Sequence, residues 1–231
     1  MAITLIKSNT ATGALFDTDG IADISWASGT AAAGNLVVVW IFVAASRTIT
    51  SVVDEDALTY SEGVQLSPAL GGGTVRGAIF YGRSAAAVST ITVTVSSATA
   101  SPALLAIAEY GDVIENPEGT NATNTEASPT TTHNSGSVTT DQANTVVTAM
   151  SMNVDTATYT NESGWATAIL NDQYAIMAHK ILTDAGTEQY SPTTGGNVDS
   201  GNMIVWFKGT VAGGSGTAHY QTTRRLMLGI S

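Results

Sequence analysis

The chain of 231 residues carries 8 Lys and Arg residues against 19 Asp and Glu residues, for a formal net charge of −11, and it contains no cysteine. Nucleic acids are recognised through basic surfaces, so this balance disfavours a nucleic-acid partner. The lack of cysteine excludes disulfides, thiolate metal sites and a cysteine nucleophile. The longest apolar run covers only residues 36–45, well short of the ~20 that span a bilayer, and therefore predicts a buried strand and no membrane partner.

The apolar segments, taken in chain order, have the spacing of β-strands. Residues 1–7 alternate polar and apolar and lack the apolar core of a secretory signal, so we expect a strand there and no cleaved leader. A nearly continuous β-branched run at 37–43 predicts a strand buried on both faces, and alternation at 48–53 and 91–95 predicts half-exposed strands. Little or no helix is expected. Further strands are predicted at 78–81, 104–110, 146–152, 174–181 and 203–207.

The apolar segments of the first half recur in the same order in the second half. Residues 35–40 correspond to 144–149, residues 77–81 to 174–178, and residues 105–111 to 203–209. This internal duplication predicts an all-β fold of two tandem antiparallel β-sandwich domains, of jelly-roll or Ig-like type. The predicted divisions are a first domain at 1–112, a polar linker at 113–134, a second domain at 135–213, and a Gly/Ser spacer with a C-terminal arm at 214–231.

The sequence predicts that two segments have no counterpart in the other half. The linker has few apolar anchors, so we expect it to lie on a neighbouring domain or subunit. The arm has two adjacent arginines in a chain with few basic residues, and it is interpreted either as a final edge strand or as an arm that reaches an acidic or apolar groove on another subunit. The predicted assembly contacts in the arm are Arg224, Arg225, Leu226, Met227 and Leu228.

Two acidic turns are candidates for calcium binding. Asp54, Glu55 and Asp56 follow a predicted strand, and the run that begins with Asp17 and Asp19 resembles the opening of a calcium loop. Neither run has the complete ligand spacing of such a loop. Solvated turns are therefore the favoured interpretation, calcium is a minor alternative, and no cofactor is predicted.

No set of residues in the sequence predicts catalysis. The three histidines, His133, His179 and His219, are too far apart in sequence to predict a metal-binding pair. The G-x-S-x-G motif of the nucleophile elbow in serine hydrolases is missing. We therefore predict no catalytic residues and a non-enzymatic protein.

Trp26 and Trp165 are predicted to be exposed aromatic residues, because Ser, Gly or Ala flanks each of them. Packing at a rim or a subunit interface is the favoured interpretation of both. The alternative is that they stack on sugar rings together with Tyr159, which would make the chain a carbohydrate-binding or adhesion module.

The strand pattern resembles the β-sandwich proteins of tailed-bacteriophage virions, which decorate capsids or form head fibres and tail accessories. The resemblance is carried by residues 34–39, 78–82, 90–95, 104–111 and 224–230. It implies a structural protein of the virion, assembled in the host cytoplasm, that forms a homo-oligomer, with a trimer as one option, and binds the major capsid protein or other virion proteins. Extracellular adhesion and filament modules share the pattern, so a carbohydrate-binding module and a filament subunit stay open as alternatives.

Overall fold

The computed structural model describes residues 2–13, 15–44, 47–70, 73–96, 102–166 and 169–210. Regular secondary structure in these residues is entirely β, which confirms the all-β prediction. No helix in this part of the chain has the length and apolar character needed to cross a membrane.

The strands of the first half form a large and a small antiparallel sheet. The large sheet has the order β1-β9-β3-β7-β5, with β6 beside β7, and the small sheet has the order β2-β8-β4. These strands are β1 (Thr4–Gly13), β2 (Ile21–Ser25), β3 (Leu36–Ala44), β4 (Ile49–Asp54), β5 (Ser61–Leu66), β6 (Ala69–Leu70), β7 (Gly73–Gly82), β8 (Thr90–Val95) and β9 (Ala103–Gly111).

The strands of the second half also form a large and a small antiparallel sheet. The large sheet has the order β10-β17-β12-β15-β14, with β13 beside β17, and the small sheet pairs β11 with β16. These strands are β10 (Val113–Thr132), β11 (Ser137–Thr139), β12 (Thr145–Met152), β13 (Tyr159–Thr160), β14 (Leu170–Asn171), β15 (Ala175–Leu182), β16 (Thr187–Gln189) and β17 (Thr193–Gly209).

Strand β3 is buried on both faces, as the sequence predicted. Residues Val37 to Phe42 are each at most 1% exposed, because successive side chains enter different cores. One set packs against the small sheet of the first half, and the other packs against the second half of the chain. The first set is Val37, Val39, Ile41 and Val43, and the second is Leu36, Val38, Trp40 and Phe42.

The two large sheets face each other across one continuous hydrophobic core. Trp40 and Phe42 of β3 share this core with Met150 of β12, Met177 of β15 and Phe207 of β17. We call the contact between the two large sheets the seam. Each small sheet covers the opposite face of its own large sheet, so the described chain has four layers, with the two large sheets in the middle.

Close packing and hydrogen bonds both join the halves at the seam. A Cβ atom added at Gly77 would lie 2.3 Å from Cε of Met150, so only glycine fits between these sheets without a shift of the methionine. The Tyr81 hydroxyl donates a hydrogen bond to Oε2 of Glu118 at 2.6 Å. The seam is therefore a packed interior and not a loose contact between two domains.

Strand β10 corrects the prediction of a polar linker. Residues 113–132 form a long strand that pairs antiparallel with β17 inside the large sheet of the second half. The linker prediction is wrong for these residues, because Thr and Asn on an edge strand with one face in solvent give the same composition as a flexible linker. The ordered second half thus begins at Val113.

Candidate functional site

His133 lies in a buried polar network that contains the residue types of a hydrolase triad. Its Nδ1 lies 3.0 Å from Oε2 of Glu126 and 2.9 Å from Oγ of Ser200, and its Nε2 lies 2.9 Å from Oγ1 of Thr194. In a triad the histidine bridges a hydroxyl and the acid through opposite ring nitrogens. Thr194 and Glu126 have this arrangement here, whereas Ser200 contacts the same nitrogen as Glu126, and both hydroxyl residues are buried. Because His133 is fully buried, the network serves to join β10 and the loop after it to β17.

The two acidic turns use their carboxylates to hold their own backbone. Oδ1 of Asp17 accepts hydrogen bonds from the N–H groups of Asp19 and Ile21, each at 2.9 Å. Oδ1 of Asp54 accepts hydrogen bonds in the same way from Asp56 at 3.1 Å and Leu58 at 3.0 Å. Such side-chain hydrogen bonds are what make Asp common in tight turns. The described residues contain no group of three or more side chains placed to hold a metal ion.

Glu55, between Asp54 and Asp56, joins its turn to the neighbouring strand. Its carboxylate accepts hydrogen bonds from the N–H groups of Ser89 and Thr90. Burial raises the pKa of this carboxyl, but the hydrogen bonds outweigh it and lower the pKa to about 2. Glu55 therefore fixes the start of β8 instead of facing a ligand.

Glu109 is a buried carboxylate that the sequence analysis missed. It is 1% exposed, and its Oε1 accepts hydrogen bonds from Ala32 N at 2.7 Å and from Asn35 Nδ2 at 2.6 Å. Nζ of Lys7 lies 3.5 Å from its Oε2. The signal was present, since Glu109 is the one charged residue in the apolar run at 104–110. Its contacts join β9, β1 and the loop before β3.

Both tryptophans that were predicted to be exposed are buried, so that prediction is wrong. Trp26 is 7% exposed and Trp165 is 8% exposed. Nε1 of Trp26 donates a hydrogen bond to the Val88 carbonyl at 2.9 Å, and the Trp165 ring packs 4.5 Å from that of Tyr190. Neither ring offers a free face for stacking on a sugar.

His179 lies on β15 and faces the first half of the chain at the seam. Its ring packs edge-on against Tyr110 of β9 at 5.6 Å, and the residue is 5% exposed. Burial lowers the pKa of His179 to about 4, because the charged imidazolium loses its hydration there. The ring is therefore neutral at pH 7 and acts as a packing group.

Two adjoining cavities lie where the second half meets the end of β1. One, of about 430 Å³, is lined by residues 157–159 and 171–173, including Tyr159. The other, of about 330 Å³, is lined by Asp172, Gln173 and Tyr174 together with residues of the first half, Thr12, Gly13, Pro102 and Leu104. Asp172 and Gln173 line both cavities, and we call this concave region the polar corner.

Strands β1 and β10 present the longest exposed edges of the fold. Each is the terminal strand of a large sheet, and no described strand pairs with its outer side. Every second residue of β1 is exposed from Thr4 to Thr12. In β10, each residue of the Thr- and Asn-rich stretch 120–132 is either exposed or half-buried. Unpaired backbone groups on such edges are natural sites for contact with another strand.

The predicted assembly contacts of the C-terminal arm lie outside the described residues. Arg224, Arg225, Leu226, Met227 and Leu228 belong to the segment 211–231, and so does His219. Their role as contacts stays a prediction.

Comparison with known proteins gives no close relative. No protein-family model matches the chain, and no curated protein matches it. Among solved structures, the chain has a weak similarity to a turret protein of Sulfolobus turreted icosahedral virus, with 10% sequence identity and a TM-score of 0.20 over 91% of this chain and 100% of that chain. A score this low assigns neither a shared fold nor a shared function.

Proposed function

We propose that the protein is a non-enzymatic structural component of a virion, an oligomeric capsid-decoration or capsid/tail accessory protein. The observation that carries the proposal is the single core at the seam, which makes both halves of the chain one four-layered block. A block of this kind presents a fixed surface to its neighbours without a hinge between domains. This is the property that a shell-binding protein needs.

An internal duplication of one antiparallel β-sandwich accounts for the architecture. The strand orders of the two large sheets correspond position by position, with β1, β9, β3, β7 and β5 matched by β10, β17, β12, β15 and β14. The pairs β2-β8 and β11-β16 correspond in the small sheets, and β4 has no counterpart among the described strands. What is repeated is therefore a scaffold of strands.

The polar residues of the described chain support a structural role. Glu126 and His133 join strands, Glu109 joins a loop to two strands, and Asp17 and Asp54 close turns. Each of these side chains makes its hydrogen bonds to the protein itself. A catalytic site would instead direct such groups together into a cleft that admits a substrate.

The surface composition fits assembly with like neighbours. Only 12% of the residues are charged, about half the usual share, so Thr, Ser, Asn and Gly supply much of the exposed surface. Such side chains are desolvated at lower cost than charges when two protein surfaces meet. The partners in this proposal are further copies of the chain and the major capsid protein or other virion proteins.

Purified virus particles provide the test. The protein should copurify with intact particles in a fixed ratio to the major capsid protein, measured by quantitative mass spectrometry, and should fill density on the particle by electron microscopy. Particles from a virus that lacks the gene should lack that density. Intact particles free of the protein would overturn the proposal.

A carbohydrate-binding module is the second candidate, and the polar corner is the observation that favours it. Asn171, Asp172 and Gln173 carry amide and carboxylate groups of the kind that bind sugar hydroxyls, and all three line one cavity of about 430 Å³. Glycan-array binding that is lost in Asp172→Ala but kept in Asp184→Ala, an exposed acid elsewhere, would support this function. An array with no bound glycan would remove it.

A further inference from the structure

The central part of β10 is a regular edge strand that could accept another strand. From Asn121 to Glu126 it pairs with β17 in unbroken antiparallel register, from Val205 to Ser200. A regular strand directs the N–H and C=O groups of alternate residues outward, ready for a neighbouring strand. In the described chain no strand meets this outer side. We call residues 121–126 the β10 edge.

Irregular structure on either side limits the part of β10 that can pair regularly with another strand to this segment. The register with β17 shifts before Asn121 and again between Glu126 and Thr130. Pro129 lies in the second irregular part and has no N–H to offer. Bulges and prolines are the devices by which proteins protect exposed edges. Here they flank the β10 edge and leave its centre unprotected.

The β10 edge has only one charged side chain, Glu126 at its end, in a strongly acidic chain. Residues 119–125 contain no charged side chain, although the net charge of the chain is −11. The acids at either end are engaged within the protein, Glu118 with the hydroxyl of Tyr81 and Glu126 with His133 and Ser200. A second copy can therefore approach this edge without the like-charge repulsion that other surfaces would impose.

We propose that the β10 edge pairs antiparallel with the β10 edge of a second copy, about a two-fold axis. This pairing rests on the structural role proposed above and identifies the surface through which two copies of the chain would contact each other. An antiparallel junction of one strand with itself is self-complementary and closes as a dimer. It joins the large sheets of two copies into one continuous sheet. A junction of this length falls in the class of small interfaces, below about 1,200 Å² in total, so the isolated dimer is weak and depends on protein concentration.

Cysteine scanning gives a direct test, because the natural chain has no cysteine. Single variants Asn121→Cys, Thr123→Cys and Thr125→Cys place a thiol on exposed positions of the β10 edge, and Thr10→Cys places one on an exposed position of β1. A disulfide needs Cα atoms within about 7 Å, a distance that only residues close to the two-fold axis satisfy. We expect one β10 position to form a disulfide-linked dimer rapidly under mild oxidation, and the β1 position to lag behind it.

A charge placed on the same edge tests the contact without cross-linking. Thr123→Lys brings like charges together across the junction and should raise the dimer dissociation constant about tenfold or more. Thr10→Lys is the matched control on the other long edge and should leave the constant within about twofold of the natural protein. Sedimentation equilibrium over a concentration series measures both constants, and circular dichroism reports whether each variant is folded.

Three results would overturn the pairing. They are a natural chain that stays monomeric throughout the series, equal constants for the two lysine variants, or β10 thiols that cross-link no faster than the β1 thiol. Loss of the dimer on removal of residues 219–231, with Thr123→Lys unaffected, would assign the contact to the C-terminal arm instead. If the dimer depends on β10 but the protein is absent from virus particles, the virion role is refuted and the pairing is retained.

Discussion

His179 should make the stability of the protein fall between pH 7 and pH 5. Its pKa is about 4 in the folded protein, where burial disfavours the charged ring, against 6.5 for an unperturbed histidine. Between these two values the unfolded chain binds the proton and the folded chain does not. Lowering the pH therefore favours unfolding, and the stability contributed by this group is fully present only above the unfolded pKa.

The size of the effect follows from the two pKa values. Proton linkage gives a loss of about 2 kcal/mol in the free energy of unfolding from pH 7 to pH 5 for this histidine alone. For a chain of this length, about 2 kcal/mol corresponds to a fall of roughly 4–8 °C in the melting temperature. A change of this size is readily measured.

The assay compares the natural chain with His179→Gln by urea denaturation at pH 7 and pH 5. The variant has no titrating ring, so it should lose about 2 kcal/mol less than the natural chain over this interval, whatever its absolute stability. The comparison cancels the titration of groups that both proteins share. Equal losses in the two proteins would refute the assignment of His179 as a buried neutral ring. An NMR titration that places its pKa near 6.5 would refute it as well.

Three further predictions test the packing within the second half and between the two halves. Gly119→Ala places a Cβ atom 2.0 Å from the ring of Trp206 and should cost about 1–3 kcal/mol in urea denaturation, whereas Gly196→Ala, in open space on β17, should change stability by less than about 0.5 kcal/mol. Glu118→Gln should lower the pKa of Tyr81 from about 12. The pKa should not fall to its unperturbed value, because burial is the largest cause of the shift and the hydrogen bond to Glu118 is the second. Ultraviolet titration measures this pKa. The described block should unfold in one transition that is the same by fluorescence and circular dichroism, since its halves share a core, and two separate transitions would contradict the seam.

Sequence-based prediction was correct where the burial of a strand produces a recognisable pattern of apolar residues. The β-branched run of β3 was correctly predicted as a strand buried on both faces, because a strand covered on both sides has no reason to alternate. The alternating run of β8 was also predicted correctly, with Ile91, Val93 and Val95 inward. Strand existence follows from local composition, and local composition is what a sequence displays.

Prediction failed where the deciding contact is distant in sequence. Trp26 has small neighbours along the chain, but Val88, 62 positions away, accepts its hydrogen bond and helps to bury it. Strand β10 has the composition of a linker, and only its pairing with β17 makes it part of a sheet. The polar corner around Asp172 was not predicted at all, since residues from both halves of the chain form it.

The sequence by itself determined that this protein is built of antiparallel β-strands and that the order of its apolar segments recurs. Both properties depend on the two-residue period of a strand and the burial of its faces, which neighbouring residues encode. Only the tertiary structure decided that the large sheets share one core at the seam and that β10 ends a sheet with an open edge that has little charge. Those outcomes depend on which strands pair and which faces meet, and such long-range choices are made by shape and packing across the whole chain.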